Sequence, residues 1–237
     1  MPEAPRPLER RARWAVIALG AVIVTDILAI GSDWLAIRLM DRLLDGEDVA
    51  PSSLDSDDTH QLAVGVIQFA VYVAAVVFFL RWFYRAYSNL PALGAEPRLR
   101  RGWAIAGWFV PILWLWRPKQ IANDIWRGSD PSVRAVHLHI TKTSVTPLLT
   151  VWWAAWIITG TLGFSAARLV WDAPTAADAG VSAALGIASD AEDVRSTAVV
   201  DLVANGSDIV AAVLAILVVR TLTSRQLERE SVIAALP

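Results

Sequence analysis

Residues 61–84 read QLAVGVIQFAVYVAAVVFFLRWFY, and this stretch decides the fold class. From Gln61 to Leu80 it holds no Asp, Glu, Lys or Arg. A helix needs roughly 20 mainly apolar residues to cross the hydrocarbon core of a bilayer. We therefore expect this stretch to form a transmembrane helix.

Three other runs have a similar length and composition, and they cover about 14–37, 147–170 and 197–222. The first follows a basic front, but its two acids and the lack of a small-x-small cleavage site favour a retained helix over a signal peptide. The chain is 55% hydrophobic, more than is usual for a soluble domain, and the excess lies in these runs. We predict an all-α, polytopic membrane protein with four transmembrane helices.

The distribution of Lys and Arg predicts the orientation. Residues 1–13, 81–102, 117–144 and 220–237 together hold 17 of the 21 basic residues. Because basic segments stay on the cytoplasmic side, both chain ends are expected in the cytoplasm and the protein in the plasma membrane. The chain then divides into a basic N-terminus at 1–13, one transmembrane domain at 14–222 and a C-terminal tail at 223–237.

A fifth apolar run at residues 103–116 reads WAIAGWFVPILWLW. It is too short to cross comfortably, and crossing would place the five basic residues of 117–144 outside. We predict a re-entrant or interfacial segment, since non-helical backbone at membrane depth is tolerated where protein shields it. The following residues 118–127 have Ile121, Ile125 and Trp126 on one face, which predicts a short amphipathic helix on the membrane surface.

Polar residues inside or near the ends of the first and fourth spans are the first candidate site, because burying an ionisable group in a membrane is costly. Those residues are Asp26, Asp33, Asp201, Asn205 and Asp208. Asp26 and Asp208 each lie 12 residues from the predicted inner end of their helix, about 18 Å deep. Residues 26–33 (DILAIGSD) and 201–208 (DLVANGSD) agree at five of eight positions, as an inverted repeat would.

Three interpretations of these acids remain open. Asp26 and Asp208 could share a proton or bind an ion, because two close carboxylates do not both ionise cheaply. The polar residues could instead hold helices together by hydrogen bonds. Asp33 and Asp201 could also lie in the headgroup region.

Aromatic and basic residues at the predicted inner interface form the second candidate site. Tryptophans at membrane interfaces are ordinarily an aromatic belt. A basic pocket beside aromatic rings could also hold an anionic lipid headgroup. The residues concerned are Trp103, Trp108, Pro111, Trp114, Trp116, Arg117, Lys119 and Trp126.

The sequence lacks the residues that several kinds of functional site require. The chain has no Cys, so disulfides, thiolate metal sites and Cys nucleophiles are excluded. It has no phosphate-binding loop, dinucleotide fingerprint, nucleophile elbow or zinc-protease motif, and His137 and His139 would point to different faces of a helix. We expect no metal and no cofactor, and with a net charge of −2 no nucleic-acid partner.

The stretch FLRWFYRAYSNLPALGAEPRLRRGWAIAGWFVPILWLWRPKQIANDIWRGSDP at 79–131 resembles the domain of unknown function 4328 family of bacterial, mostly actinobacterial, membrane proteins. The resemblance covers most of residues 61–228. Its pattern falls on Trp82, Arg85, Asn89, Leu90, Gly102, Trp103, Trp108, Phe109, Pro111, Leu115, Pro118, Trp126, Trp152, Trp153 and the stretch 213–226. Members often have Asn at the position of Trp114. The resemblance implies a multi-helix membrane protein and no particular activity.

We expect a non-enzymatic scaffold, or a protein that binds a partner or lipid, presenting residues 85–144 to the cytoplasm. Its partners would be the bilayer, anionic headgroups of the inner leaflet, and a second copy or another membrane protein. The alternative is a small proton- or ion-coupled transporter that uses Asp26 and Asp208. An intramembrane enzyme ranks third, because it would need more acids or His at one depth.

Overall fold

The computed structural model describes residue 5 and residues 7–47, 51–132, 144–171 and 187–235, with the side chains of all but 51–59, 61, 164–171 and 187–194. This region of the chain forms six α-helices and two 3-10 turns and contains no strand. The helices are α1 Glu9–Leu44, α2 Pro51–Ser88, α3 Trp103–Ala106, α4 Arg117–Gly128, α5 Pro147–Trp171 and α6 Ile187–Ala234. The 3-10 turns are Leu90–Leu93 and Leu113–Leu115.

Three of the helices are long and apolar enough to cross a membrane: α1, α2 from Leu62 onward, and α6 from Arg195 onward. The predicted all-α membrane fold is thus confirmed. Helix α5 has 25 residues, and its portion Pro147–Gly163 is a shorter apolar helix. A count of four spans, with α5 as the fourth, stays a prediction.

The helices extend beyond the apolar runs that predict them. Helix α1 begins five residues before Trp14, and α6 continues without a break to Ala234. Hydropathy measures the hydrocarbon-facing length, whereas backbone hydrogen bonding carries a helix on into polar flanks. Residues 223–237, expected as a tail, are therefore helical as far as Ala234, and Gln226 and Arg229 in this region are 2% and 0% exposed.

Segment 103–116 contains no helix that could cross the membrane. Its only regular elements are the single turn α3 and the second 3-10 turn. Between them Ile112 has a φ of 67°, which is strained for a β-branched residue. Whether this segment is re-entrant or interfacial stays a prediction.

Helix α4 lies within one residue of the predicted surface helix. Pro118 stands in its first turn, where the missing N–H costs no hydrogen bond. Its apolar residues Ile121 and Ile125 are fully buried, so protein covers the face that the sequence assigns to the membrane surface.

The structure divides into two compact units. Unit 1 comprises Met1–Ala21, Tyr72–Ala154 and Ala212–Pro237. Unit 2 comprises Val22–Val71 and Ala155–Ala211. The largest side chains buried in unit 1 include Trp82, Phe83, Tyr87 and Trp152. Unit 2 buries mainly small and polar side chains among its described residues, including Asp26, Ala29, Ser32, Asp33 and Ala36.

Candidate functional sites

A hydrogen-bonded polar network joins three helices in unit 2. Its centre is the amide of Gln68 on α2, which donates to Asp26 Oδ1 at 2.9 Å and to Asn205 Oδ1 at 2.7 Å. Asn205 Nδ2 in turn donates to Asp33 Oδ2 at 3.0 Å. The network therefore unites three of the five predicted polar residues, and Gln68 is the residue that connects them.

Gln68 was not among the predicted site residues, because the cost of burial singles out ionisable groups first. The sequence could nevertheless have identified Gln68, because it is the one amide between Leu62 and Leu80 in an otherwise apolar stretch. An amide inside a spanning helix typically bonds to another helix. Uncharged polar residues in the middle of a span are therefore informative in the same way as charged ones.

The other two predicted acids each lie near a member of the network. Asp208 interacts electrostatically with Asp26 and lies close to Thr159 of α5. Asp201 interacts electrostatically with Asp33. The seven-residue spacing places both acids of α1 on one face and both acids of α6 on one face. The result is two acid pairs, Asp26 with Asp208 and Asp33 with Asp201.

Thr159 brings α5 into the same region. Its hydroxyl donates to Ser207 Oγ at 3.0 Å, and Ser207 donates to the Ala204 carbonyl at 2.8 Å. Asp26 and Asp33 are 2% and 6% exposed, whereas Gln68, Asn205, Thr159 and Asp208 are half-buried. All four long helices thus supply a polar side chain to this region of unit 2.

The described arginines of unit 2 have other partners. Arg38 lies 3.8 Å from the centre of the Trp34 ring. Arg42 pairs with Glu47 at 2.6 Å, and Arg195 pairs with Asp41 at 2.6 Å. Among the described side chains, the groups that interact with the two acid pairs are amides, a hydroxyl and the acids themselves.

The second candidate site lies in unit 1, where Trp108 anchors segment 103–116. The Trp108 ring packs against Phe79 and Phe83 of α2 and against Trp152 and Trp153 of α5, with ring centres 5.6–6.3 Å apart. Trp153 also donates from its indole to the Leu115 carbonyl at 3.1 Å. We call these five rings the aromatic cluster.

The remaining predicted residues of this site separate into two groups. Arg117 lies 5.6 Å from the centre of the Trp103 ring and donates to Gln120 Oε1 at 3.1 Å. Trp126 is bound elsewhere: Arg225 stacks on its ring at 4.0 Å and donates to its carbonyl at 3.1 Å. The structure therefore brings Trp103 and Arg117 together, with Trp126 in a separate contact.

Segment 103–116 presents apolar side chains at the protein surface. Phe109 and Ile112 are 66% and 67% exposed. Pro111 is exposed beside them, whereas Trp114 and Lys119 are half-buried. The exposed apolar set consists of Ile105, Ala106, Phe109, Pro111, Ile112, Leu115 and Trp116.

Hydrogen bonds and ion pairs fold residues 86–132 of unit 1 onto the end of α6. Arg225 pairs with Asp130 at 3.2 Å. Gln226 donates to the Ala86 carbonyl at 3.0 Å and to Ser129 Oγ at 3.3 Å. Arg229 donates to the Leu93 carbonyl at 3.4 Å. We call Arg225, Gln226 and Arg229 the α6 clamp. It was not predicted, because hydropathy cannot tell a solvated polar end from one that is buried by its own chain.

An ion pair between the exposed Arg98 and the buried Asp124 holds the loop before α3 to α4. Arg98 donates to Asp124 Oδ1 from Nε at 2.8 Å and also from Nη2. Burial raises the pKa of Asp124 above its usual value, although Arg98 opposes the shift. The bond to Asp124 raises the pKa of Arg98. Beside this pair, Tyr87 Oη donates to the Leu99 carbonyl at 3.1 Å and accepts from the Leu99 amide at 3.0 Å.

The described residues offer no cluster of metal ligands. No group of three or more His, Asp or Glu side chains among them is arranged to hold a metal ion.

Comparison with protein families identifies one match. The family described as Domain of unknown function (DUF4328) matches residues 45–224, well over half of the chain. This confirms the resemblance noted in the sequence. No curated protein and no solved structure matches the chain.

Proposed function

This chain belongs to the DUF4328 family, and on that premise we propose that it is a non-enzymatic protein of the bacterial plasma membrane that binds anionic lipid. Segment 103–116 is the lipid-binding element, and residues 85–144 face the cytoplasm as a surface for a protein partner. The proposal rests on one observation: segment 103–116 exposes seven apolar residues while Trp108 fixes its other side in the aromatic cluster.

Exposed apolar surface of this kind is typical of contact with a membrane or a partner. Basic side chains flank it on both sides along the chain. Arg100 and Arg101 precede it and are exposed, and Arg117 and Lys119 follow it. Cationic residues next to an apolar, Trp-rich segment suit an inner leaflet rich in anionic headgroups.

The orientation belongs to the same proposal. The described residues of both chain ends and the basic segments around 103–116 belong to unit 1. The acids between positions 41 and 58 belong to unit 2. Because Lys and Arg are retained on the cytoplasmic side, we place these regions of unit 1 at the cytoplasmic face.

The lipid proposal is tested by removing two charges. We expect the double variant Arg117→Gln and Lys119→Gln, in the purified full-length protein, to lose most of its co-purified anionic lipid. Near a membrane surface each cation contributes about 1 kcal/mol, so the pair contributes roughly thirtyfold in affinity. Mass spectrometry of the bound lipids measures the loss.

The matched control is the double variant Arg38→Gln and Arg42→Gln, which removes the same charge from unit 2. It should retain the anionic lipid. Equal lipid retention by both double variants would contradict the proposal. For the partner surface, a photo-crosslinker at Arg100 should capture one specific protein in intact cells, and labelling of the lipid alone would leave the protein as a lipid binder without a scaffold role.

A second candidate function, proton- or ion-coupled transport, is favoured by the polar network of unit 2. Polar side chains from the four long helices converge there, as in many ion pathways. Proteoliposomes containing the protein should then take up protons or sodium, and Asp26→Asn or Asp208→Asn should abolish the flux. Absence of flux in the parent protein rejects this candidate.

A further inference from the structure

Asp26 presents one carboxylate oxygen that is buried and has no hydrogen-bond partner. Its other oxygen, Oδ1, accepts from Gln68 at 2.9 Å, but Oδ2 has no partner among the described atoms. The residue as a whole is only 2% exposed. Buried polar atoms in folded proteins are almost always satisfied, so this oxygen is open to a proton, a water molecule or an ion.

A second carboxylate lies near the same place. Asp208 interacts electrostatically with Asp26 and lies close to the Thr159 hydroxyl. Two neighbouring carboxylates in a poorly solvated region repel each other, and this repulsion is relieved only by a cation or a proton. The arginines of unit 2 whose side chains are described are engaged with Trp34, Glu47 and Asp41, so none of these three supplies the compensating charge.

From these two observations we infer that Asp26 and Asp208 bind one monovalent cation, a proton or Na⁺, between α1 and α6 of unit 2. Asp26 Oδ2, the Asp208 carboxylate and the Thr159 hydroxyl supply the oxygens. Gln68 is a positioning residue, because it holds Asp26 through the opposite oxygen. Asn205 is a second positioning residue, which acts on Gln68 through the hydrogen bond between them.

The donor set argues for a monovalent ion over a divalent one. Ca²⁺ sites use six to eight oxygen ligands, and Mg²⁺ demands octahedral geometry. The described residues contain no cluster of three His, Asp or Glu arranged around a common point. The oxygens offered by Asp26, Asp208 and Thr159 are fewer than either divalent ion requires, and Asp26 already accepts a hydrogen bond from the neutral Gln68 amide.

The inference is independent of lipid binding, which concerns unit 1. It supplies the ion that the transport candidate would carry. Binding measured without an ion gradient separates ion binding from ion transport. A protein that binds the ion but does not move it would confirm the site and reject only the transport function.

The test uses the full-length protein in nanodiscs of a neutral phospholipid. Thermal unfolding is followed at several pH values in choline buffer, and at one pH with choline replaced stepwise by Na⁺. A ligand that binds only the folded state raises its melting temperature, by about 5 °C at a hundredfold excess over the Kd for a chain of this size. Infrared difference spectra report the carbonyl band of a protonated carboxyl group.

The variants are Asp26→Asn and Asp208→Asn, with Asp41→Asn as the control. Asn at position 26 still accepts from Gln68, so the first variant preserves the helix contact while removing the charge. Asp41 lies in the same unit, but its charge is already paired with Arg195. The control should therefore respond to pH and Na⁺ as the parent does.

Two results would support the site and distinguish its occupants. A protonated carboxyl band that is lost in Asp26→Asn or Asp208→Asn and insensitive to Na⁺ identifies a proton. A melting temperature that rises with Na⁺ in the parent and in Asp41→Asn, but in neither of the other variants, identifies sodium. A parent that shows neither response, or responses shared by all four proteins, overturns the inference.

Discussion

Gln68 shows how one uncharged side chain organises a membrane-spanning region. It stands on α2, whose most apolar stretch is 11% buried inside the protein. The corresponding stretches of α1 and α6 are each 33% buried. This apolar part of α2 therefore has little protein packing, whereas the C-terminal end of the helix buries Trp82, Phe83 and Tyr87. Its two hydrogen bonds, to Asp26 and Asn205, supply a directional contact that apolar side chains in lipid cannot supply.

Replacing Gln68 with Leu should lower the free energy of unfolding by about 1 kcal/mol. Hydrogen bonds between membrane helices average about 0.6 kcal/mol each, and this variant removes two. Unfolding by denaturing detergent, followed by circular dichroism, measures the change. Phe69→Leu is the control, since the neighbouring Phe69 is 71% exposed. Unfolding free energies that are equal in the two variants would show that the Gln68 bonds contribute nothing net.

Asp124 gives a pH dependence whose sign follows from burial. Its pKa is higher in the folded than in the unfolded chain, so the folded state holds this proton more tightly. Its contribution to stability is therefore complete below the unfolded pKa and declines as the pH rises through the raised folded value. In parallel melts at falling pH, Asp124→Asn should gain less stability than the parent. Identical slopes in the two proteins would contradict this assignment.

At the scale of elements, close approach places α4 and segment 103–116. Gly128 ends α4 against the turn at Leu90–Leu93, where an added Cβ would lie 2.8 Å from Leu90 Cδ2 and 3.0 Å from Ala95 Cβ. Gly107 is similarly crowded, since a Cβ there would lie 2.8 Å from the Trp103 carbonyl oxygen and 3.0 Å from Arg117 Cβ. Both positions require glycine because a Cβ there would come too close to neighbouring atoms, at two points where short elements are in contact.

Gly128→Ala should therefore destabilise unit 1 by about 1–3 kcal/mol, the usual effect of overpacking. The matched control is Gly102→Ala, because a Cβ at position 102 meets nothing within 4 Å. Melting temperatures of the two variants in one detergent provide the comparison. A Gly128→Ala protein as stable as the control would mean that the Leu90 side chain moves aside freely.

The elements differ in how far the sequence could predict them. The long helices follow from hydropathy, because the bilayer requires an apolar length. The position of α4 follows from Pro118 and Gly128. Its buried face was not predictable, since a stripe of Ile suits lipid and protein equally well. The partners of Asp124 and Asp130 depend on which turns approach each other, and local periodicity does not contain that information.

At the scale of the molecule, orientation is the prediction on which the lipid proposal depends. The chain has no Cys, so single cysteines can be introduced for labelling. In intact cells a membrane-impermeant maleimide should react with Glu47→Cys. It should react with Arg100→Cys and Glu228→Cys only after the membrane is opened. All three residues are exposed at the protein surface, so whether the maleimide reacts depends on the side of the membrane on which each one lies. Labelling of Arg100→Cys in intact cells would contradict the proposed orientation.

Hydropathy predicts the helical membrane fold of this molecule better than it predicts the sites. Asp26, Asp33 and Asn205 were identified from burial cost, and the structure joins them through Gln68, which carries no charge. The α6 clamp was missed entirely, because buried arginine at the end of a long helix has the same sequence pattern as a solvated terminus. Sites made of contacts between distant residues need the fold before they can be identified.

The α6 clamp also determines where this chain can be shortened. The family match ends at residue 224, one residue before Arg225 and five before Arg229, which is fully buried. A truncation at the family boundary would remove the side chains that tie down Ala86, Leu93 and Ser129. Expression of this protein, or attachment of an affinity tag, should therefore retain every residue through Ala234.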